Sequence, residues 1–356
     1  MNIEALAYDL PQELIATRPA EPRDGARLLV VRCGAGTLEH AAIRDLPELL
    51  EPSDVLVVND TAVLAARLLG TRASGGSRGG GRVEGLYLGA HEDGSWTVVL
   101  TASGSLRAGE VIDLVGPDAS HATLTLLEKQ DRYWLAAPDP VGAAAALLGS
   151  LGHTPLPPYI LKARKARGEQ FDEASDRAWY RTLYERSDRT GSVASPTAGL
   201  HLTDAVRASL AARGVGQAAV TLHVGEGTFR PVTAATLEDH EMHAESWLVE
   251  PEAVACIAQA EGRLIAVGTT TTRLLESLPE PLPAGPLCGT TELLIAPGHS
   301  FRRVEGMLTN FHLPRSTLLA LVAAMTGLDL MHEAYQTAIA HRYRFYSYGD
   351  AMLVLP

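Results

Sequence analysis

Short apolar runs separated by glycine, proline and charged residues set the rhythm of this chain. Leu28 to Val31, Val55 to Val58, Val98 to Leu100, Val220 to Leu222, Leu264 to Val267 and Leu293 to Ile295 are each bounded by polar or turn-forming sequence, the signature of short buried strands. Helical periods are fewer and more clearly punctuated. Thr203 can cap a helix from Asp204 to Arg213, with Val206 and Leu210 on one face and Gly214 at its end; Ser316 or Thr317 can cap another that stops near Gly327. Between about 70 and 150 the texture changes: the glycine-rich loop Ser74 to Gly81 precedes strand-like runs broken by turn signals at Glu92-Asp93-Gly94 and Arg107-Ala108-Gly109. We expect a small all-β module, residues 70–150, inserted into a larger mixed α/β domain made of residues 1–69 and 151–356. The Pro-rich His153 to Tyr159 marks the return to the main body, because proline fixes φ and removes a donor.

Composition narrows the class. With 356 residues, 46% hydrophobic and 20% charged, the chain reads as a soluble globular protein of two domains. No apolar run approaches the roughly 20 residues of a bilayer span, and the N-terminus carries acids where a signal peptide carries positive charge. Cys33, Cys256 and Cys288 form no CxxC pair, which argues against a disulfide framework or a thiolate zinc site. A cytoplasmic monomer with no membrane contact is the expectation. The net charge of −12 repels nucleic acid at long range, so an RNA partner needs a local basic patch. Lys162, Arg164, Lys165 and Arg167, followed by Arg177, Arg181, Arg186 and Arg189, offer one; the acids interleaved with them make a self-paired, solvated face the alternative.

Four polar stretches between apolar runs are candidates for chemistry. Pro196 to His201 precedes the capped helix, where backbone N–H groups suit an anion or serve as a plain cap and turn. Thr221 to Phe229 opens from a strand into a Gly225-x-Gly227 turn; it lacks the third glycine of a dinucleotide fingerprint, and His223 faces away from Leu222 and Val224. His240 to Glu245 fails the metalloprotease spacing, since the second histidine arrives at i+3. If extended, it puts His243 and Glu245 on one face, a carboxylate orienting an imidazole for acid–base work; a metal-dependent hydrolase using His240, His243 and Glu245, or a buried polar pair, is the alternative. Last come Leu308 to Thr317 and Tyr343 to Asp350, the latter mixing Arg342 and Arg344 with four rings, as base stacking or core packing would.

Together, Pro196 to His201, Thr221 to Phe229, His240 to Glu245, Ala266 to Ser277, Leu308 to Leu319 and Tyr343 to Leu353 resemble the S-adenosylmethionine:tRNA ribosyltransferase-isomerase family, and the opening Tyr8 to Val30 and Val55 to Thr61 fit the same pattern. The resemblance implies an α/β main domain with a β-barrel-like sheet, plus a small inserted all-β barrel. It implies transfer and isomerisation of the ribosyl part of S-adenosylmethionine onto 7-aminomethyl-7-deazaguanine in tRNA, giving epoxyqueuosine-tRNA, adenine and methionine. No metal is implied, and no cofactor beyond S-adenosylmethionine as co-substrate. Carried onto this chain, it makes His201, His223 and His243, with Glu245 as orienting partner, the candidates for proton transfer. Thr197, Ala198, Gly199, Gly225, Gly227, Thr228, Phe229, Thr269, Thr270, Arg273, Asn310 and His312 are the candidates for holding S-adenosylmethionine. Asn59, Asp60, Arg67, Lys162, Arg164, Arg344, Tyr348 and Asp350 are those for the acceptor base or RNA. Ala62 and Ala65 stand where the family usually has Arg and Pro, and Thr101 to Gly109 keeps only Arg107 of a basic stretch. These departures leave a paralogue with a small-molecule acceptor as the second reading, and an RNA-binding descendant without catalysis as a third.

Overall fold

A computed structural model describes residues 1–73, 80–225, 234 and 236–356. Strands β1 (Arg27–Arg32), β2 (Thr37–Ala42) and β3 (Val55–Asn59) enter the main sheet, and the two-residue β4 (Ala62–Val63) follows. The chain then leaves for a closed antiparallel barrel of β5 (Arg67–Arg72), β6 (Arg82–Ala90), β7 (Trp96–Ala102), β8 (Val111–Val115), β9 (His121–Gln130) and β10 (Tyr133–Asp139), packed around Trp96, Val98, Leu124, Leu126 and Trp134. On its return β11 (Thr190–Ser192) pairs in parallel with β4. The main sheet is completed by β12 (Gly216–Leu222), β13 (Glu245–Val249), β14 (Leu264–Val267), β15 (Leu287–Thr291), β16 (Val304–Asn310) and β17 (Ala351–Leu355).

Among the described residues the main sheet has nine strands in the order β15-β13-β12-β3-β14-β16-β17-β1-β2. Its centre, β12-β3-β14-β16, is parallel. Both faces are covered, which is why the strands read as unbroken apolar runs rather than alternations. Leu28, Val30, Leu353 and Leu355 pack into one core, whereas Leu29, Val31, Met352 and Val354 pack into another on the opposite face, as a two-residue period requires. The barrel's start and end are tied to each other. Arg67 N–H donates to the His153 carbonyl (3.1 Å) and His153 N–H to the Arg67 carbonyl (2.8 Å).

The capped helices form over Asp204–Ala212 and Thr317–Thr326. Thr203 Oγ1 accepts from Val206 N–H (3.3 Å), and Ser316 rather than Thr317 is the second cap, accepting from Leu319 N–H (3.2 Å); such caps are worth about 1 kcal/mol each. Gly327 ends the second helix at φ 80°, where a side chain would be strained. One expected strand is absent. Leu293–Ile295 runs as irregular backbone, because Thr291 Oγ1 accepts the Leu293 N–H (3.2 Å) and the ladder with β13 closes at Thr291. No single described helix is long and apolar enough to cross a membrane.

Candidate active site

The four parallel strands deliver their carboxyl ends to one edge of the sheet, the place where open α/β sheets bind ligands. Asn59-Asp60-Thr61 follows from β3, His223-Val224-Gly225 from β12, Gly268 and the helix Thr269–Ser277 from β14, and Asn310-Phe311-His312 from β16. Two adjacent hollows lie there. A cavity of about 780 Å³ is walled by His223, Gly225, His240, His243, Glu245, Arg273 and Leu293 to Ile295, and from the barrel by Leu88 and Asp131 to Tyr133. Its volume falls in the range that encloses a small-molecule ligand. A smaller pocket of about 50 Å³ is lined by Ser195, Thr197, Ala198, Thr269, Thr270, Asn310, Phe311 and His312. Val224 and Leu318 border both.

His223 sits in the cavity wall with Nδ1 turned to Thr61 Oγ1 (2.9 Å). Thr61 Oγ1 also contacts Ser192 Oγ (2.8 Å), which accepts the Val224 N–H (2.8 Å). Burial pushes the imidazole below its ordinary value, with Asp60 pulling the other way, so the ring is neutral near pH 7. Gly191 makes room for it: a Cβ there would lie 2.8 Å from Nδ1.

Glu245 opens β13 and is 5% exposed. Its Oε1 accepts the Gly225 N–H (3.1 Å), and its Oε2 pairs with Arg273 Nη1. Residues 240–244 belong to no strand, and the guanidinium of Arg273 is an ionic partner of Glu245. Arg273 comes from the middle of the helix Thr269–Ser277 and gives its Nε hydrogen to the Leu293 carbonyl (2.8 Å). Among the described residues its Nη2 is buried with no hydrogen-bond partner.

His201 and His312 are placed differently. His201 Nε2 receives a hydrogen bond from Asn310 Nδ2 (2.9 Å), while Thr197 Oγ1 donates to Asn310 Oδ1 (3.1 Å). Full burial lowers His201 to about 4, and it borders neither hollow. It holds Asn310 through the Nε2 contact. His312 lines the small pocket with Nε2 on Thr309 Oγ1 (2.7 Å), lowered to about 3 by burial. Gly199 packs against Thr182 outside both hollows, with 3.2 Å from an ideal Cβ to Thr182 Cγ2. Gly227, Thr228 and Phe229 lie outside the described residues.

The acceptor candidates are mostly engaged elsewhere. Asn59 bridges β3 to β12 through both the N–H and the carbonyl of Leu222, and Asp60, raised by burial, accepts from Thr221 Oγ1 (2.6 Å). Arg67 pairs with Glu84 on the barrel. Arg164 is 6% exposed and holds Asp176 with two hydrogen bonds (2.8 and 2.7 Å) and the Thr17 carbonyl with two more, so it is closed to phosphate. Tyr348 is buried edge-on to Tyr180, which excludes base stacking, and burial pushes its hydroxyl far up. Asp350, 2% exposed, accepts from Arg27 and from the backbone of Arg344 (2.8 Å), pinning the C-terminal turn to β1 rather than reading a base. Arg344 also reaches the Arg18 carbonyl (3.2 Å), and Lys162 is exposed. Among the described residues no group of three His, Cys, Asp or Glu is arranged to hold a metal.

Sequence reasoning missed Thr61, Gly191, Ser192 and the barrel residues Asp131 to Tyr133. A threonine after a strand and a glycine in Thr190-Gly191-Ser192 carry no local mark of the histidine they serve.

Fold and site define an α/β protein with a substrate-sized cavity at the carboxyl edge of a parallel sheet, roofed by an inserted barrel. Known proteins share this plan. The family described as queuosine biosynthesis protein matches residues 3–354. A relative from Methylocella silvestris is 47% identical over 365 residues, covering 100% of this chain and 98% of its own. One from Anaeromyxobacter dehalogenans (strain 2CP-C) is 45% identical over 361 residues, covering 100% and 99%. Both are named S-adenosylmethionine:tRNA ribosyltransferase-isomerase. The crystal structure of an S-adenosylmethionine tRNA ribosyltransferase from Thermotoga maritima is 31% identical, covers 99% of this chain and 100% of its own, and superposes with a TM-score of 0.54. The chain belongs to this family of queuosine biosynthesis enzymes, the S-adenosylmethionine:tRNA ribosyltransferase-isomerases.

Proposed function

We propose that this chain transfers and isomerises the ribosyl part of S-adenosylmethionine onto 7-aminomethyl-7-deazaguanine in tRNA, releasing adenine and methionine and leaving epoxyqueuosine. It acts in the cytoplasm as a monomer and takes no cofactor beyond this co-substrate. The observation that carries the reading is the cavity of about 780 Å³ that His223, His243, Glu245 and Arg273 line together. Arg273, held by Glu245 and the Leu293 carbonyl, is a cavity-lining guanidinium and suits the carboxylate of the methionine moiety. The small pocket adds Thr197, Thr269 and Thr270 hydroxyls and the first turn of a helix for the polar edge of the nucleoside.

The sulfonium acidifies the neighbouring C5′ protons, so removal of one gives a stabilised ylide. The sugar then expels adenine, accepts the amine and loses methionine as the epoxide closes. This sequence asks for a proton acceptor and for donors aimed at the departing groups; of His201, His223 and His243, the last two line the cavity. Adenine release measured with S-adenosylmethionine and either tRNA bearing 7-aminomethyl-7-deazaguanine or the free base tests the acceptor. Release with the tRNA is expected to be the faster. Release with a small amine and none with tRNA would replace this reading by the small-molecule one.

A further inference from the structure

The hydrogen positions around His223 follow from one fixed point. The Val224 N–H can only donate, and it donates to Ser192 Oγ (2.8 Å). Ser192 is fully buried, and among the described residues Thr61 Oγ1, at 2.8 Å, is the acceptor in reach of its hydroxyl hydrogen. Thr61 Oγ1 is thereby an acceptor, and its hydrogen has two destinations: His223 Nδ1 at 2.9 Å and the Arg189 carbonyl at 3.4 Å. That carbonyl already receives the Ala62 N–H (2.9 Å), and 3.4 Å is beyond the usual O–H···O range. Thr61 therefore donates to Nδ1. A ring nitrogen that accepts carries no hydrogen, so the neutral imidazole bears it on Nε2.

We propose that the Val224–Ser192–Thr61 chain is a positioning device that locks His223 as the Nε2–H tautomer, so that it offers the bound substrate a hydrogen-bond donor and is not the base. The inference rests on the cavity being the site of ribosyl transfer. His223 keeps its proton throughout: its N–H stabilises charge as it builds on the departing adenine, and the C5′ proton goes to another group, for which His243 is the remaining cavity-lining imidazole of the three. Burial, acting against Asp60 and alongside Arg189, keeps the ring neutral and suits it to this part. Gly191 completes the device, because any side chain there would enter the ring, at 2.8 Å from Nδ1 and 2.9 Å from Cε1.

Long-range ¹H–¹⁵N spectra of the full chain labelled at histidine, recorded without substrate, read the tautomer directly. His223 is expected as Nε2–H in the wild type and in Thr61→Ser, and as a mixture in Thr61→Val. An Nδ1–H ring in the wild type overturns the proposal. Kinetics give a second reading. His223→Gln retains an N–H donor, so it should keep at least about tenfold more turnover than His223→Ala, with the acid limb of the kcat profile in place; loss of that limb would make His223 the base. The tautomer is read without substrate, so its failure is separable from failure of the ribosyl-transfer reading, which would show as absent adenine release by the wild type.

Discussion

Arg164–Asp176 and Arg273–Glu245 are both buried arginine–carboxylate pairs, and they differ in one nitrogen. Arg164 gives every guanidinium nitrogen an acceptor, Nη1 and Nη2 on Asp176 and Nε and Nη2 on the Thr17 carbonyl, with its plane 4.6 Å over the Phe171 ring. Arg273 lines the cavity, places Nε on Leu293 and Nη1 on Glu245, and among the described residues leaves the buried Nη2 without a hydrogen-bond partner. Burial and pairing alone thus do not separate a pair that lines a cavity from one that only holds the fold.

The largest effect expected from this contrast is on stability. Arg164→Ala leaves Asp176 buried and unpaired and should cost about 3–5 kcal/mol in urea unfolding, most of it regained when Asp176→Leu is added to Arg164→Met. A cost under about 1 kcal/mol would mean that the closed pair is not structural. Next comes Arg273→Lys, which keeps a cation beside Glu245 and removes the fork. S-adenosylmethionine should bind about 1.5–3 kcal/mol more weakly by calorimetry, and unchanged affinity would put Arg273 in the same class as Arg164. The smallest effect concerns the exposed neighbours of Arg164. Reversing the charge of Lys162 and Lys165 should lower the slope of log tRNA affinity against log salt by about 0.7–0.9 for each phosphate that is no longer neutralised. An unaltered slope would move the RNA to a different face.

The difference between the two pairs could not be read from the chain. Arg164 meets Asp176 twelve residues on, and Arg273 meets Glu245 twenty-eight residues back, but which guanidinium is saturated depends on the carbonyls of Thr17 and Leu293. What was legible followed local rules. Val55 to Val58, Val220 to Leu222 and Leu264 to Val267 announce themselves as strands because both faces are buried, and polar segments after such strands are sound candidates for an edge site. His201 and His223 each lie between two aliphatic residues, and only the fold buries the first behind Asn310 while giving the second a cavity. Asp350 likewise has the local surroundings of a base reader, and only the fold brings Arg27, more than three hundred residues away in sequence, onto its carboxylate.

The mutual hydrogen bonds of Arg67 and His153 bear on ancestry. Because the first barrel strand and the segment that follows the barrel meet at one point, the whole barrel hangs from a closed stem, and no rung of the nine-stranded sheet passes through it. A lineage carrying this sheet is free to acquire, resize or exchange that appendage by a single insertion event, without re-pairing a strand. Arg273 and Glu245 belong to the inherited sheet and its helix, whereas the barrel contributes Leu88 and Asp131 to Tyr133 to the cavity. The wall that Arg273 and Glu245 give the cavity and the wall that the barrel lends it are therefore open to separate evolutionary revision.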